Sequence, residues 1–128
     1  MCLNKTHYLE CGVNFQGKRA LIIEDEEEIR EILNFYLQNE GLEVEEASSG
    51  EEGIQRAQKA NFDFVVTDLS MPGMKGEKVI EILKTMPGVG KIVVSTGSLK
   101  FEESLVDGTL FKPFNKDDVI AMLNKLFS

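Results

Sequence analysis

Five side chains in this sequence combine acid, alcohol and amine at places where short apolar runs stop. Glu24 and Asp25 follow KRALII, Asp68 follows FDFVVT, Thr96 follows IVVS, and Lys112 follows TLF. If those runs are neighbouring strands, their ends share one crevice, because open α/β sheets bind ligands beyond the carboxyl ends of their strands. Three carboxylates about 5 Å apart repel by a few kcal/mol per pair at an effective dielectric of about 20. A hard divalent cation with oxygen ligands offsets that repulsion, and one that keeps several waters is Mg²⁺. A lysine and a hydroxyl add nothing for the metal alone. They suit an anion that bridges metal and lysine, and a phosphoryl group is the obvious one. A carboxylate in such a pocket can itself be the nucleophile and form an aspartyl phosphate.

The elements that would position this set can be read from hydrophobic periodicity. Lys18–Ile23 is a short apolar run of strand length. Ile29, Ile32, Leu33, Tyr36 and Leu37 then recur on one face of a helix, and Asp25 with Glu28 has the spacing of a capping box. Gly41 ends that helix, and Leu42–Glu45 alternates like a strand. Ser48 with Glu51 is a second capping box, opening a helix through Ile54, Ala57 and Ala60. Phe62–Thr67 is a buried strand, and Asp68–Gly76 a loop marked by Pro72, Gly73 and Gly76. Val79, Ile80, Ile82, Leu83 and Met86 form the next helix face, broken by Pro87-Gly88. Ile92–Ser95 and Thr109–Phe111 are further strands. Asn115 caps a last helix with Val119, Ile120, Leu123, Leu126 and Phe127 inward.

Five alternations of strand and helix predict a parallel sheet covered on both faces. Only 15 residues separate Thr96 from Lys112, near the lower limit for a parallel crossover. The fourth helix is therefore expected to be stunted, about two turns around Glu102–Leu105, or replaced by loop.

Composition narrows the function. The chain has 128 residues, 42% hydrophobic and 28% charged, which suits one domain with a core that needs no staples. No apolar run approaches the ~18 residues of a membrane span, and the first residues lack the pattern of a secretory signal. Acids outnumber bases 22 to 14, a formal charge of −8, which argues against binding nucleic acid through its phosphates. Cys2 and Cys11 read as free thiols in a reducing cytoplasm, and the single His7 builds no histidine metal site. Residues 1–17 read as an extension. Within them Gly12-Val-Asn-Phe-Gln-Gly17-Lys18 fits most of a phosphate-binding loop, but Arg19 replaces its Ser or Thr and the segment precedes the first strand instead of following one.

From Lys18 to the end, residues 18–128, the sequence resembles the receiver domain of bacterial two-component response regulators. The resemblance rests on LIIED, VVTDLSMPGMKG, STG and FKPF, in that order. It implies a three-layer, doubly wound, flavodoxin-like fold with strand order 2-1-3-4-5. It implies that Asp68 accepts a phosphoryl group from a phosphohistidine of a sensor histidine kinase or phosphotransfer protein. Glu24, Asp25, Asp68 and the backbone carbonyl of Ser70 would hold Mg²⁺. Thr96 and Lys112 would bind the phosphoryl oxygens, with a cis Lys112–Pro113 bond, and Ser70 and Ser98 would influence the lifetime of the phosphate. The output would be a contact with a downstream protein, without direct binding to nucleic acid or membrane, in a cytoplasmic setting.

Three positions depart from the family pattern. Glu24 stands where Asp is commoner, Lys75 where an acid is common, and Thr109 where many members carry an aromatic. Ser-Thr-Gly resembles a subfamily with a Phe-Ala-Thr-Gly motif and a reduced fourth helix. Two alternatives follow: a pseudo-receiver that binds proteins without phosphorylation, and a small aspartyl phosphatase. The phosphatase needs a general acid two residues after Asp68, where Ser70 stands. The methionines at 71, 74, 86 and 122 read as packing.

Overall fold

The computed structural model describes residues 15–98 and 105–127. Its elements are β1 (Arg19–Ile23), α1 (Glu27–Asn39), β2 (Glu43–Ala47), α2 (Gly50–Lys59), β3 (Phe62–Asp68), α3 (Gly76–Lys84), β4 (Val89–Thr96), β5 (Gly108–Phe111) and α4 (Lys116–Leu126). The strands form one sheet of order β2-β1-β3-β4-β5, and every neighbouring pair is parallel. This is the expected doubly wound α/β architecture. The expected stunted fourth helix falls mainly on residues 99–104, outside the described residues, as do Cys2, His7 and Cys11.

Each face of the sheet carries its own core. On one, Ala20, Ile22, Phe64, Val66, Val93 and Leu110 pack under Leu33 and Leu37 of α1 and Val119, Met122 and Leu123 of α4. On the other, Leu21, Ile23, Val65, Ile92 and Val94 pack under Ala57 of α2 and Val79, Ile80 and Leu83 of α3. The three central strands are buried on both sides, which is why they read as unbroken apolar runs and not as alternation. Met71, Met74, Met86 and Met122 all pack against these cores, as expected of gap-filling side chains.

Several local expectations shift. Ile32, expected on the inner face of α1, is 42% exposed, because Leu33 and Leu37 one turn apart take the contact with the sheet. α1 has Glu26 at its N-cap with no side-chain cap, so Asp25 is released from capping. The N-cap of α2 is Ser49, one residue after the expected Ser48, and it does not form a full capping box. The Ser49 hydroxyl accepts from Glu52 N–H, while Ser48 N–H donates to the Glu52 carboxylate at 2.7 Å. At α4 the expected cap is present, Asn115 and Asp118 exchanging two bonds of 2.9 Å. β4 begins at Val89, three residues before its apolar run, since Phe62 pairs with Val89 and Phe64 with Lys91. Phe15, from the segment assigned to the extension, is buried in the α1–α4 core against Phe127.

Two glycines shape the loop after β3. Gly73 has φ +90°, a conformation that L side chains rarely adopt. Gly76 opens α3 so close to Leu69 that a Cβ there would stand 2.5 Å from the Leu69 Cα. Gly76→Ala must therefore push backbone against backbone. It should cost about 1–3 kcal/mol, read as a melting temperature lower by several degrees, with the loop after Asp68 displaced. An unchanged melting curve would show that the loop yields freely.

Candidate functional site

The parallel order brings the carboxyl ends of β1, β3, β4 and β5 side by side. Glu24 continues β1 by donating its N–H to the Ala47 carbonyl at 3.0 Å, and Lys112 continues β5 by donating its N–H to the Thr96 carbonyl at 2.8 Å. Carboxylate oxygens of Glu24, Asp25 and Asp68 all lie within 4.8 Å of one another. Glu24 and Asp68 are buried, at 2% and 4% exposure, whereas Asp25 is partly open. The Lys112 ammonium donates to Glu24 Oε1 at 2.9 Å and to Asp68 Oδ2 at 3.2 Å. The other Asp68 oxygen accepts the Ser70 N–H at 3.0 Å, which ties the loop back onto the carboxylate. The Lys112–Pro113 bond is cis, as the resemblance implies.

The structure thus gathers Glu24, Asp25, Asp68 and Lys112. Thr96 is buried at the end of β4, and its hydroxyl accepts the Ser98 N–H at 3.0 Å. Strand alternation places it with Ile92 and Val94 on the α2–α3 side, whereas Asp68 follows Phe64 and Val66 on the α1–α4 side. Thr96 thus starts on the opposite face of the sheet from Asp68, and the contact of its hydroxyl is with Ser98.

One buried acid facing another, with a single cation between them, is electrostatically uneven. Burial pushes the Glu24 carboxyl up, from 4.5 to about 7; the Lys112 bond counters this and the Asp68 charge adds to it. Burial pulls the Lys112 ammonium down, but the hydrogen bond and charge of Glu24 and the charge of Asp68 outweigh it, so it ends raised. In the metal-free chain the Glu24 contribution to stability is full below pH 4.5 and is lost as pH rises through about 7. A bound dication would supply positive charge in place of that proton. The residues fit one: three acids converge, one of them partly exposed for entry, and Lys112 neutralises only part of their charge.

Arg30 is a residue that sequence reasoning passes over. Its guanidinium donates to the Glu24 carbonyl at 2.8 Å and to Glu46 at 2.9 Å, and Asn34 also donates to Glu46. It pins the turn between β1 and α1 that carries the acidic pair. A base on the second turn of a helix headed by Glu26-Glu27-Glu28 looks like ordinary surface charge until β2 is placed beside it.

Comparison with known proteins bears on this site. A family model described as the response regulator receiver domain matches residues 20–124. The transcriptional regulatory protein ResD of Bacillus subtilis (strain 168) is 28% identical over 113 residues, 84% of this chain and 47% of ResD. The chain spans about half the length of the curated relatives it matches. Among solved structures, the response regulator TrrA of Thermotoga maritima in complex with Mg²⁺-BeF superposes with a TM-score of 0.77 at 32% identity, covering 86% of this chain and 99% of that one. A chain of the complex between histidine kinase ThkA and TrrA matches with a TM-score of 0.76 at 34% identity, covering 87% of this chain and 99% of that one.

Proposed function

The chain belongs to the response regulator receiver domain family, and from that premise we propose that Asp68 is its phosphoacceptor. The donor is a phosphohistidine on a sensor histidine kinase or phosphotransfer protein. The observation that carries this is the grouping of Glu24, Asp25 and Asp68 within 4.8 Å, with Lys112 bonded to two of them. An Asp68 oxygen forms the new O–P bond, the N–P bond of the phosphohistidine breaks, and the leaving imidazole nitrogen keeps the electron pair and takes a proton from solvent. Mg²⁺ held by Glu24, Asp25, Asp68 and the Ser70 carbonyl would neutralise the oxygens of the phosphoryl group in transit.

The chain's own groups do the rest. The Ser70 N–H orients the Asp68 carboxylate. Lys112, tethered to Glu24 as well, can leave Asp68 and pair with the incoming phosphoryl group without losing its second partner. Phosphorylation adds up to about two negative charges. The Thr96 hydroxyl turns toward them, and the loops after β4 and β5 move with Thr96 and Lys112. A few charge-assisted bonds bias a two-state surface without refolding the domain. The complex of histidine kinase ThkA with TrrA supports a kinase as donor. The surface then meets a downstream protein, with net charge −8 opposing direct contact with nucleic acid. No helix among the described residues is long and apolar enough to cross a membrane, and the exchange is assigned to the cytoplasm.

Such a domain is a signalling module, not a turnover enzyme; slow loss of its own phosphate is the one hydrolysis expected. The pseudo-receiver alternative draws no support, since the acids and Lys112 stand together. The test is incubation with acetyl phosphate, with Mg²⁺ or with a chelator. A covalent mass adduct that needs the metal is expected. Absence of an adduct, with acetyl phosphate and with a kinase, would overturn the proposal.

Metal affinity should also follow pH. Because Glu24 holds a proton up to about pH 7, Mg²⁺ must displace it. The affinity should rise by up to about tenfold per pH unit below 7 and level off above. Calorimetric titration from pH 6 to 8 checks this, and a flat profile would contradict it.

A further inference from the structure

One buried hydroxyl beside Asp68 has no use in the mechanism so far. Ala20 and Ile22 on β1, Phe64 and Val66 on β3, Val93 on β4 and Leu110 on β5 all belong to the α1–α4 core. Two residues beyond Ile22, Val66, Val93 and Leu110 stand Glu24, Asp68, Ser95 and Lys112, so strand alternation puts these four on the same face. Ser95 is the direct register partner of Asp68 on one side and of Leu110 on the other. It is 2% exposed, and its hydroxyl has no hydrogen-bond partner among the described residues. A buried hydroxyl left unpaired is costly, so such groups call for an explanation.

The strand order supplies one. Neighbouring strands lie about 4.8 Å apart, and β4 separates β5 from β3. Lys112 must therefore reach over β4 on this face to meet Asp68 and Glu24, and Ser95 is the β4 residue level with Asp68. In the resting arrangement Asp68 Oδ2 takes a bond from Lys112 and Oδ1 takes one from the Ser70 N–H, and the Ser95 hydroxyl donates to neither. When the ammonium follows a phosphoryl group, one Asp68 oxygen loses its donor inside a buried site.

We propose that Ser95 is a further catalytic residue of phosphoryl transfer, its hydroxyl rotating to donate to the Asp68 oxygen that Lys112 vacates. This rests on the phosphoacceptor reading of Asp68. The bond exists only once Lys112 has moved, so it favours the transition state and the product over the resting carboxylate. Removing the Ser95 hydroxyl therefore breaks no bond of the resting state among the described residues.

Ser95→Ala and Ser95→Thr, compared with the unaltered 128-residue chain, test this. Uptake from acetyl phosphate in Mg²⁺, melting temperature and Mg²⁺ affinity are the readouts. Ser95→Ala is expected to slow uptake roughly tenfold and lower the steady-state adduct. Mg²⁺ affinity should stay within about twofold and the melting temperature should not fall. Ser95→Thr, which keeps the hydroxyl, should restore most of the rate. Uptake by Ser95→Ala equal to that of the unaltered chain would overturn the proposal. So would a slowing that tracks a lower melting temperature, which marks a packing role. If the unaltered chain takes up no phosphoryl group, the phosphoacceptor reading falls and this inference falls with it.

Discussion

Asp68→Asn should abolish phosphoryl uptake, cutting labelling from acetyl phosphate or from a kinase by on the order of 10³-fold or more, to background. An amide keeps the shape of the carboxylate but has neither its charge nor its nucleophilic oxygen pair. The loss should come without loss of fold. In the metal-free chain Asp68 and Glu24 are buried acids that share one ammonium. Neutralising Asp68 relieves their repulsion, and the charge of Asp68 is one of the causes that raise Glu24. The melting temperature of Asp68→Asn without Mg²⁺ should therefore hold or rise, and the Glu24 carboxyl should titrate lower than about 7. Mass spectrometry and a thermal melt on the same sample separate the two effects. Residual labelling of Asp68→Asn at the original level would place the acceptor elsewhere.

Lys112→Ala carries the second large effect, this time on both chemistry and stability. Its removal leaves Glu24 and Asp68, at 2% and 4% exposure, facing each other with no cation. Breaking a buried pair from one side costs about 3–5 kcal/mol, because an uncompensated charge stays behind. The melting temperature without metal should fall by roughly 6–20 °C. Mg²⁺ should restore much of it, since a dication replaces the missing charge, and metal affinity should exceed that of the unaltered chain. Phosphoryl uptake should still fall at least about a hundredfold, because the group that follows the phosphoryl oxygens is gone. Thermal melts with chelator and with Mg²⁺ show the pattern. A variant that is equally unstable in both would mean that the cleft does not take the metal.

Much of this arrangement is legible in the amino-acid sequence. Buried parallel strands announce themselves as short apolar runs, so β1 and β3 and the residues at their ends can be located closely. Their termini are where an open sheet displays chemistry, which singles out Glu24, Asp25, Asp68 and Lys112 together. The start of β4 is not visible in the same way, because Gly90 and Lys91 resemble a turn. The backbone of β3 holds Lys91 in register with Phe64, and Gly90 lies against Asp63, where a Cβ would fall 2.3 Å from its carbonyl oxygen. Asp25 has the spacing of a cap, but spacing alone does not show that the site claims the side chain first. The Lys112–Glu24 pair joins residues at opposite ends of the chain across two intervening strands, and only strand order reveals it. Thr96 and Ser95 differ by one position and so by one face of the sheet. Alternation separates them once Val93 and Val94 are known to belong to opposite cores, and an apolar run buried on both faces does not say which is which.

The most direct measurement is a crystal structure of the chain grown with Mg²⁺ and beryllofluoride, a mimic of the phosphoryl group. Beryllium is expected bonded to an Asp68 oxygen, with the metal held by Glu24, Asp25, Asp68 and the Ser70 carbonyl. The Thr96 hydroxyl and the Lys112 ammonium should both be on fluorine. A cleft that binds neither ion under saturating conditions, with Lys112 still bridging Glu24 and Asp68, would contradict it.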